Sequence, residues 1–291
     1  MTSLAVIHIG IDPVLHLGGL GIHWYGVMYA VAFYVGWKVA VVPHLRPRGV
    51  SEDRIEVILA VTIVAGLLGA RLYYDLQSGF LNYLTHPIDL IAVWKGGMAF
   101  FGAIIGSVAA IWFLAKRERI SFWLVFDSAV LFACVGQPIG RIGNVINGDI
   151  LGGYAPTLPW ATAYTNEHAI LQPGFQNNIP YQPAAVYEAL GTLGILVILL
   201  LLRRRGVRTG VLSLAYLPLY AISQLIIFHW RASEPAIFLG LKQAQWTSIG
   251  VLLLGAPLAY LLWRRGVGAA PSSEPAARDE TLEPSPLGTT G

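Results

Sequence analysis

One ten-residue stretch carries more chemistry per position than any other: Gly140-Arg141-Ile142-Gly143-Asn144-Val145-Ile146-Asn147-Gly148-Asp149. On a helix, Arg141, Asn144 and Gly148 share one face at i, i+3 and i+7. Gly136, Gly140 and Gly143 form a neighbouring face of small residues that would let a second helix approach closely. A cation, two amides and a carboxylate at the end of an apolar run are costly unless each finds a partner. Such a set could hold an anionic headgroup, with Arg141 on a phosphate and the amides on hydroxyls. The competing reading is a polar helix end meeting water.

The elements that must position these residues follow from composition. The chain has 291 residues, of which 55% are hydrophobic and 12% charged. Soluble domains carry about 25% charged residues, so the surroundings are read as lipid. Seven apolar runs reach the length of about 20 residues that a spanning helix needs: roughly 24–45, 55–77, 96–115, 122–140, 184–202, 211–230 and 245–263. The runs are continuous rather than alternating, which favours helices over a barrel. The fold class is therefore all-α, a polytopic membrane protein with about seven transmembrane helices.

Basic residues follow every second span. Arg46, Arg48 and Arg54 come after the first, and Lys116, Arg117 and Arg119 after the third. Arg203, Arg204, Arg205 and Arg208 come after the fifth, and Arg264 and Arg265 after the seventh. The positive-inside bias then predicts the N-terminus outside and the C-terminus inside. Residues 1–265 form the transmembrane domain, with an outer-face cap around 149–183. Residues 266–291, rich in Pro, Ser, Ala, Glu and Gly, read as a disordered cytoplasmic tail. The first 23 residues lack Lys and Arg and do not resemble a cleaved leader. A single cysteine, Cys134, excludes a disulfide framework and a multi-cysteine metal site. The small formal charge of +3 gives no reason to expect a nucleic-acid partner.

Six of the nineteen basic residues escape that pattern: Lys38, Arg71, Lys95, Arg141, Arg231 and Lys242. Lys38 can snorkel inward. The other five fall near the outer ends of spans or in outer loops. Each could simply pair with Asp75, Asp149, Glu188 or Glu234, or touch lipid phosphate nonspecifically. Together they suggest an anion site at the outer leaflet, because guanidinium grips phosphate with two parallel bonds. His23-Trp24-Tyr25-Gly26 opens the first span, where Trp and Tyr are common interface anchors. Trp94-Lys95-Gly96-Gly97-Met98-Ala99-Phe100-Phe101-Gly102 enters the third span, and its Gly102/Gly106 pair reads as helix packing.

These motifs resemble the prolipoprotein diacylglyceryl transferase family. The resemblance runs from about Ile11 to Trp263 and rests on Asp12-Pro13, His23 to Gly26, Gly69-Ala70-Arg71-Leu72 and Trp94 to Met98. It also rests on Asp127, Gly140 to Gly148, Tyr187-Glu188, Tyr220 and Gln245-Trp246-Thr247-Ser248. It implies a seven-span enzyme of the bacterial inner membrane. Such enzymes move a diacylglyceryl group from phosphatidylglycerol to the lipobox cysteine of a prolipoprotein, forming a thioether. The expected partners are phosphatidylglycerol, the prolipoprotein signal peptide with its lipobox cysteine, and membrane lipids. No metal or organic cofactor is implied. By resemblance, Arg141 and Asn144 hold the headgroup and Tyr25 helps position it. Asp149 stands where the family usually has Glu, and Tyr220 matches a family tyrosine. The candidate catalytic residues are thus Tyr25, Arg141, Asp149 and Tyr220. The candidate substrate-binding residues are Arg141, Asn144, Asn147, Arg71, Lys95 and Arg231.

Three positions depart from the family pattern. Phe101 replaces a usual His, Gln224 a usual second Arg, and Gln182 a usual His. Two readings follow. In one, transfer persists: Arg141 with Arg71, Lys95 or Arg231 lowers the thiol pKa, and Asp149 or a water takes the proton. Arg231 lies seven residues past Gln224, about two helical turns on, and could supply the missing charge. His229 is a weaker substitute base, pointing about 140° away from Gln224. In the other reading, the chain is a degenerate paralogue that binds phospholipid or lipoprotein precursor without transfer. A small transporter is a third class, but the charges cluster at one face rather than crossing the membrane.

Overall fold

The computed structural model describes residues 6–79 and 97–266. Lys95 and the expected tail therefore lie outside the described residues, except for Gly266. Seven helices are long and apolar enough to cross a membrane. They are α1 (Trp24–Arg48), α2 (Glu52–Gln77), α3 (Phe100–Arg117), α4 (Phe122–Asn147), α5 (Ala184–Arg204), α6 (Val211–Trp230) and α7 (Gln243–Arg264). Each matches one apolar run of the sequence. The largest difference is at α4, which continues past position 140 through Asn147 with Pro138 inside it. Gly148 stops it in the left-handed region at φ 82°, a conformation glycine adopts at little cost. The polar motif is thus the last two turns of a membrane helix.

Most helix faces that point away from the bundle stay apolar. Leu67, Trp112, Phe113, Val197, Leu253 and Leu254 are all exposed, as expected of surfaces solvated by acyl chains. Inside, Val130, Leu131 and Cys134 of α4 meet Ile195 and Leu199 of α5 and Leu212 of α6. α4 is central and packs on α1, α3, α5 and α6. α2 packs mainly on α3, and the glycines explain that pairing. A Cβ on Gly102 or Gly106 would run into the backbone of Gly69 or Ala65. The predicted packing role of the Gly102/Gly106 pair holds. The small-residue face of α4 is shorter than predicted. Gly143 lies against Tyr25 and Gly136 against Ala32, but a Cβ on Gly140 would meet nothing within 4 Å.

The two ends of the bundle differ in chemistry. At one end the basic residues gather. Arg203 donates to the Pro43 carbonyl at 2.6 Å, and Arg54 pairs with Glu118 at 3.5 Å. Buried Asp127 accepts the Gly210 N–H at 2.6 Å, the Ser213 N–H at 2.9 Å and the Ser213 hydroxyl at 2.6 Å. It thereby satisfies donors that the start of α6 would otherwise leave orphaned.

At the opposite end, residues 148–183 fold over the bundle together with the N-terminal strands. These short strands are additions to the predicted all-helical picture. β1 (Ile7–Ile9) pairs in parallel with β4 (Thr162–Tyr164), while β2 (Val14–Leu17) and β3 (Leu20–His23) form an antiparallel hairpin. Ile9, Leu151, Tyr164 and Tyr181 form a small core beneath them, and the Tyr164 hydroxyl donates to the Val145 carbonyl at 2.7 Å. The cap is thus bonded directly to the polar end of α4.

Candidate functional site

The last two turns of α4 place Arg141, Asn144 and Asn147 along one side of the helix, and Asp149 follows the glycine stop. Arg141 donates Nη1 to Asn144 Oδ1 at 2.9 Å. The Asn144 amide donates to both oxygens of Asp149, at 3.2 and 3.0 Å. Arg141 therefore fixes Asn144, and Asn144 fixes Asp149. Burial raises the pKa of Asp149, against the opposing effects of the Asn144 hydrogen bond and of Arg141 and Arg231.

Glu188, one turn into α5, is fully buried. One carboxylate oxygen faces Arg141 Nη2 at 2.5 Å, and the other accepts from Arg231 Nη1 at 2.9 Å. Arg231 caps the end of α6 and also pairs with Glu234 at 2.7 Å. Arginines from α4 and α6 thus meet on a carboxylate from α5. Lys242 supports this arrangement from the start of α7. It donates its ammonium to the Phe228 carbonyl at 2.6 Å and to the Arg231 carbonyl, which fixes the backbone that carries Arg231.

The pairing leaves donors over. Among the described residues, Arg141 Nε, Arg231 Nε and Gln224 Nε2 are buried without a hydrogen-bond partner, as is the acceptor Asn147 Oδ1. Buried guanidinium N–H groups left unpaired are expensive. Two arginines held by one carboxylate, each keeping a spare N–H, are a donor set chemically suited to an anion with several oxygens.

The predicted tyrosines flank this cluster differently. The Tyr220 hydroxyl accepts from Gln137 Nε2 at 3.4 Å, and its ring stacks on Tyr216. Tyr25 lies against Gly143, and its hydroxyl bonds that of Tyr29 at 2.8 Å. Arg71 is held elsewhere: it pairs with Asp75 at 3.2 Å, donates to the Gly97 carbonyl at 3.3 Å and lies near the Tyr74 ring. Its described contacts belong to α2 and the entrance to α3. His229 is exposed beside Trp230, whereas Gln224 is buried, as the helical angle predicts. Phe101 packs on Phe100.

Sequence reasoning named Glu188 only as one of four acids that could neutralise an arginine. Its role as the hub of two arginines depends on where α6 ends relative to α5. The one available signal was the Tyr187-Glu188 motif itself. Gln137 was likewise missed, and Lys242 was named only as one of five basic residues near the outer ends of spans.

The chain has relatives among known proteins. The family model described as prolipoprotein diacylglyceryl transferase matches residues 13–261. A phosphatidylglycerol–prolipoprotein diacylglyceryl transferase of Cupriavidus metallidurans is 34% identical, over 91% of this chain and 98% of its own. The protein of the same name from Methylibium petroleiphilum is 37% identical, over 89% of this chain and 99% of its own. That from Halalkalibacterium halodurans is 34% identical, over 88% and 87%. Each alignment spans the cluster around Glu188 as part of a match that covers most of both chains.

Proposed function

Because this chain belongs to the prolipoprotein diacylglyceryl transferase family, we propose that the Glu188 cluster is where it grips the phosphate of its lipid substrate. The protein is a phosphatidylglycerol–prolipoprotein diacylglyceryl transferase with seven membrane helices. The similarity covers nearly the whole chain and gives no support to a degenerate paralogue. The spare, buried N–H donors of Arg141 and Arg231 carry the assignment of the site.

In this reading the phosphate of phosphatidylglycerol takes the spare donors of Arg141 and Arg231, and Gln224 adds a neutral one. Asn144 and Asn147 contact glycerol hydroxyls. Tyr25 and Tyr220 border the headgroup, and Lys95 draws anionic lipid toward it. Arg231 supplies from the end of α6 the charge that Gln224 lacks two turns earlier.

The acceptor is the lipobox cysteine of a prolipoprotein, and its thiolate is the nucleophile. The new S–C bond forms at the glycerol carbon that carries the phosphate ester. The C–O bond to that phosphate breaks, and glycerol phosphate leaves with the electron pair. Asp149, whose pKa burial raises, accepts the thiol proton. A base whose pKa lies nearer neutrality is better matched to this task than an ordinary carboxylate. The arginines stabilise the charge on the departing phosphate, an electrostatic contribution of about 10²–10³ per well-placed donor. We further place the cap and the Glu188 cluster at the outer face of the bacterial inner membrane, with the C-terminus in the cytoplasm, as the arginine distribution indicates.

The test is lipidation of a reporter prolipoprotein in a strain depleted of its own transferase, read as a mass shift at the cysteine. The wild-type chain restores the shift. Arg141→Ala, inserted at normal levels, should lose at least about 100-fold in rate. If Arg141→Ala still binds phosphatidylglycerol and transfers normally, the assignment of the site is wrong.

A further inference from the structure

At the arginine-rich end, far from the cap, the structure contains a separate groove. It is lined by Leu202, Val207, Arg208 and Val211 around the α5–α6 turn, and by Tyr260, Trp263 and Arg264 near the end of α7, and encloses about 710 Å³. That volume suits a small-molecule or headgroup ligand. Arg208 and Arg264 are exposed, and among the described residues neither faces a carboxylate; Arg264 lies 5.9 Å from the centre of the Tyr260 ring. Most of the lining is apolar, and Leu201 of α5 and Leu258 and Leu261 of α7 are exposed. Two arginines with no carboxylate partner among the described residues, two amphipathic aromatics and an otherwise apolar lining beside exposed leucines match one ligand class. It is an amphiphile with an anionic head and hydrocarbon tails.

We propose that this groove is a second lipid site, which holds an anionic phospholipid of the leaflet opposite the Glu188 cluster. Its phosphate lies between Arg208 and Arg264, and Tyr260 and Trp263 sit at the level of its glycerol. An acyl chain runs along Leu202 and Val211. The site takes no part in transfer and does not depend on the reading of the Glu188 cluster. The competing occupant is the chain's own C-terminal segment, which carries Glu274, Asp279, Glu280 and Glu283. An acidic peptide would match the two arginines but leave the apolar walls unmatched, so the phospholipid is favoured.

Two measurements on the full-length protein test this. In the first, a photoactivatable phosphatidylglycerol with its reactive group near the glycerol is irradiated with wild-type protein in nanodiscs of phosphatidylcholine. Cross-links are expected on the peptides containing residues 202–211 and 260–264, in addition to any at the Glu188 cluster. Their absence from the groove overturns the proposal. In the second, retained phosphatidylglycerol is counted by native mass spectrometry. Replacing Arg208→Gln and Arg264→Gln together should remove one retained lipid per chain. Each lost charge-assisted contact weakens binding by about tenfold. Lipidation activity should be unchanged, which also reports correct folding.

The proposal fails if Arg117→Gln with Arg119→Gln, an equal change in charge elsewhere on the same end, removes as much lipid. It also fails if the groove labels only after Glu274→Gln, Asp279→Asn, Glu280→Gln and Glu283→Gln together, since the tail would then be the occupant.

Discussion

Replacing Glu188 with Ala would leave Arg141 and Arg231 without the carboxylate that holds them both. Removing one partner from a buried ion pair costs about 3–5 kcal/mol, because the remaining charges stay desolvated. The expected result is a clearly lowered melting temperature in detergent, together with lipidation reduced by about 100-fold or more. Glu188→Gln keeps the shape but not the charge, and should recover more of the stability than of the activity. Arg141→Lys should behave like Arg141→Ala in the lipidation assay, because lysine offers a point charge without the fork or the spare Nε–H. Asp149 makes a separate prediction. Burial raises its pKa, so its carboxylate form is lost at a higher pH than usual as the solution is acidified. If Asp149 is the proton acceptor proposed above, activity should fall on the acid side with a midpoint above the usual carboxylate range of about 4. Asp149→Asn should abolish that limb along with most of the rate. A profile that keeps the same acid limb in Asp149→Asn would assign the proton to another group.

Elements hold these residues in register, and two contacts dominate. Asp127 ties α4 to the start of α6 through three short hydrogen bonds, at the opposite end of the same helices that bring Arg141 and Arg231 together. Asp127→Ala should cost about 2–4 kcal/mol. It should lower the melting temperature without selectively affecting phosphatidylglycerol binding by the folded fraction. The α2–α3 pair depends on backbone contact at Gly69, Gly102 and Gly106. Gly106→Leu should force those helices apart and abolish stable insertion, measured as loss of monodisperse protein after extraction. The cap has its own clip, the His168–Asp12 pair at 2.8 Å. The hydrogen bond to Asp12 raises the pKa of His168, while the Val14 N–H and then His168 lower that of Asp12. The pair is therefore fully charged above the ordinary Asp12 range and below the ordinary His168 range. Its contribution fades as pH rises through the raised His168 value, and again as pH falls through the lowered Asp12 value. His168 is exposed and Asp12 half-exposed, so the effect is local. Hydrogen exchange of the β1–β4 amides should quicken at alkaline pH more than intrinsic exchange predicts, and His168→Ala should remove that excess.

At the scale of the whole molecule, charge is segregated between the ends. Arg46, Arg48, Arg54, Arg117, Arg203 and Arg208 gather at one end, while the cap and Glu188 occupy the other. Transmembrane orientation follows the positively charged end. A reporter enzyme active only outside the cytoplasm, fused after residue 265, should be silent, whereas the same reporter inserted between residues 153 and 154 should be active. The opposite pattern would put the Glu188 cluster on the cytoplasmic face and separate it from secreted prolipoproteins.

Much of this molecule was legible in its sequence because the bilayer imposes a coarse rule. About 20 apolar residues make a span, and each of the seven runs became a helix. The composition of residues 140–149 likewise marked the polar end of α4, since polar groups persist at that depth only when partnered. What the sequence left open was which partner each group takes. Arg71 and Arg231 looked equivalent along the chain, yet the first pairs with Asp75 one turn on, and the second crosses to Glu188 on another helix. Glu188 could neutralise any of several arginines until packing brought the ends of α4, α5 and α6 together. The short strands of the cap were also hidden, because three or four residues carry too little periodicity to stand out. Ion-pair choice and strand pairing are settled by distances between residues far apart in the chain, and only tertiary structure fixes those distances.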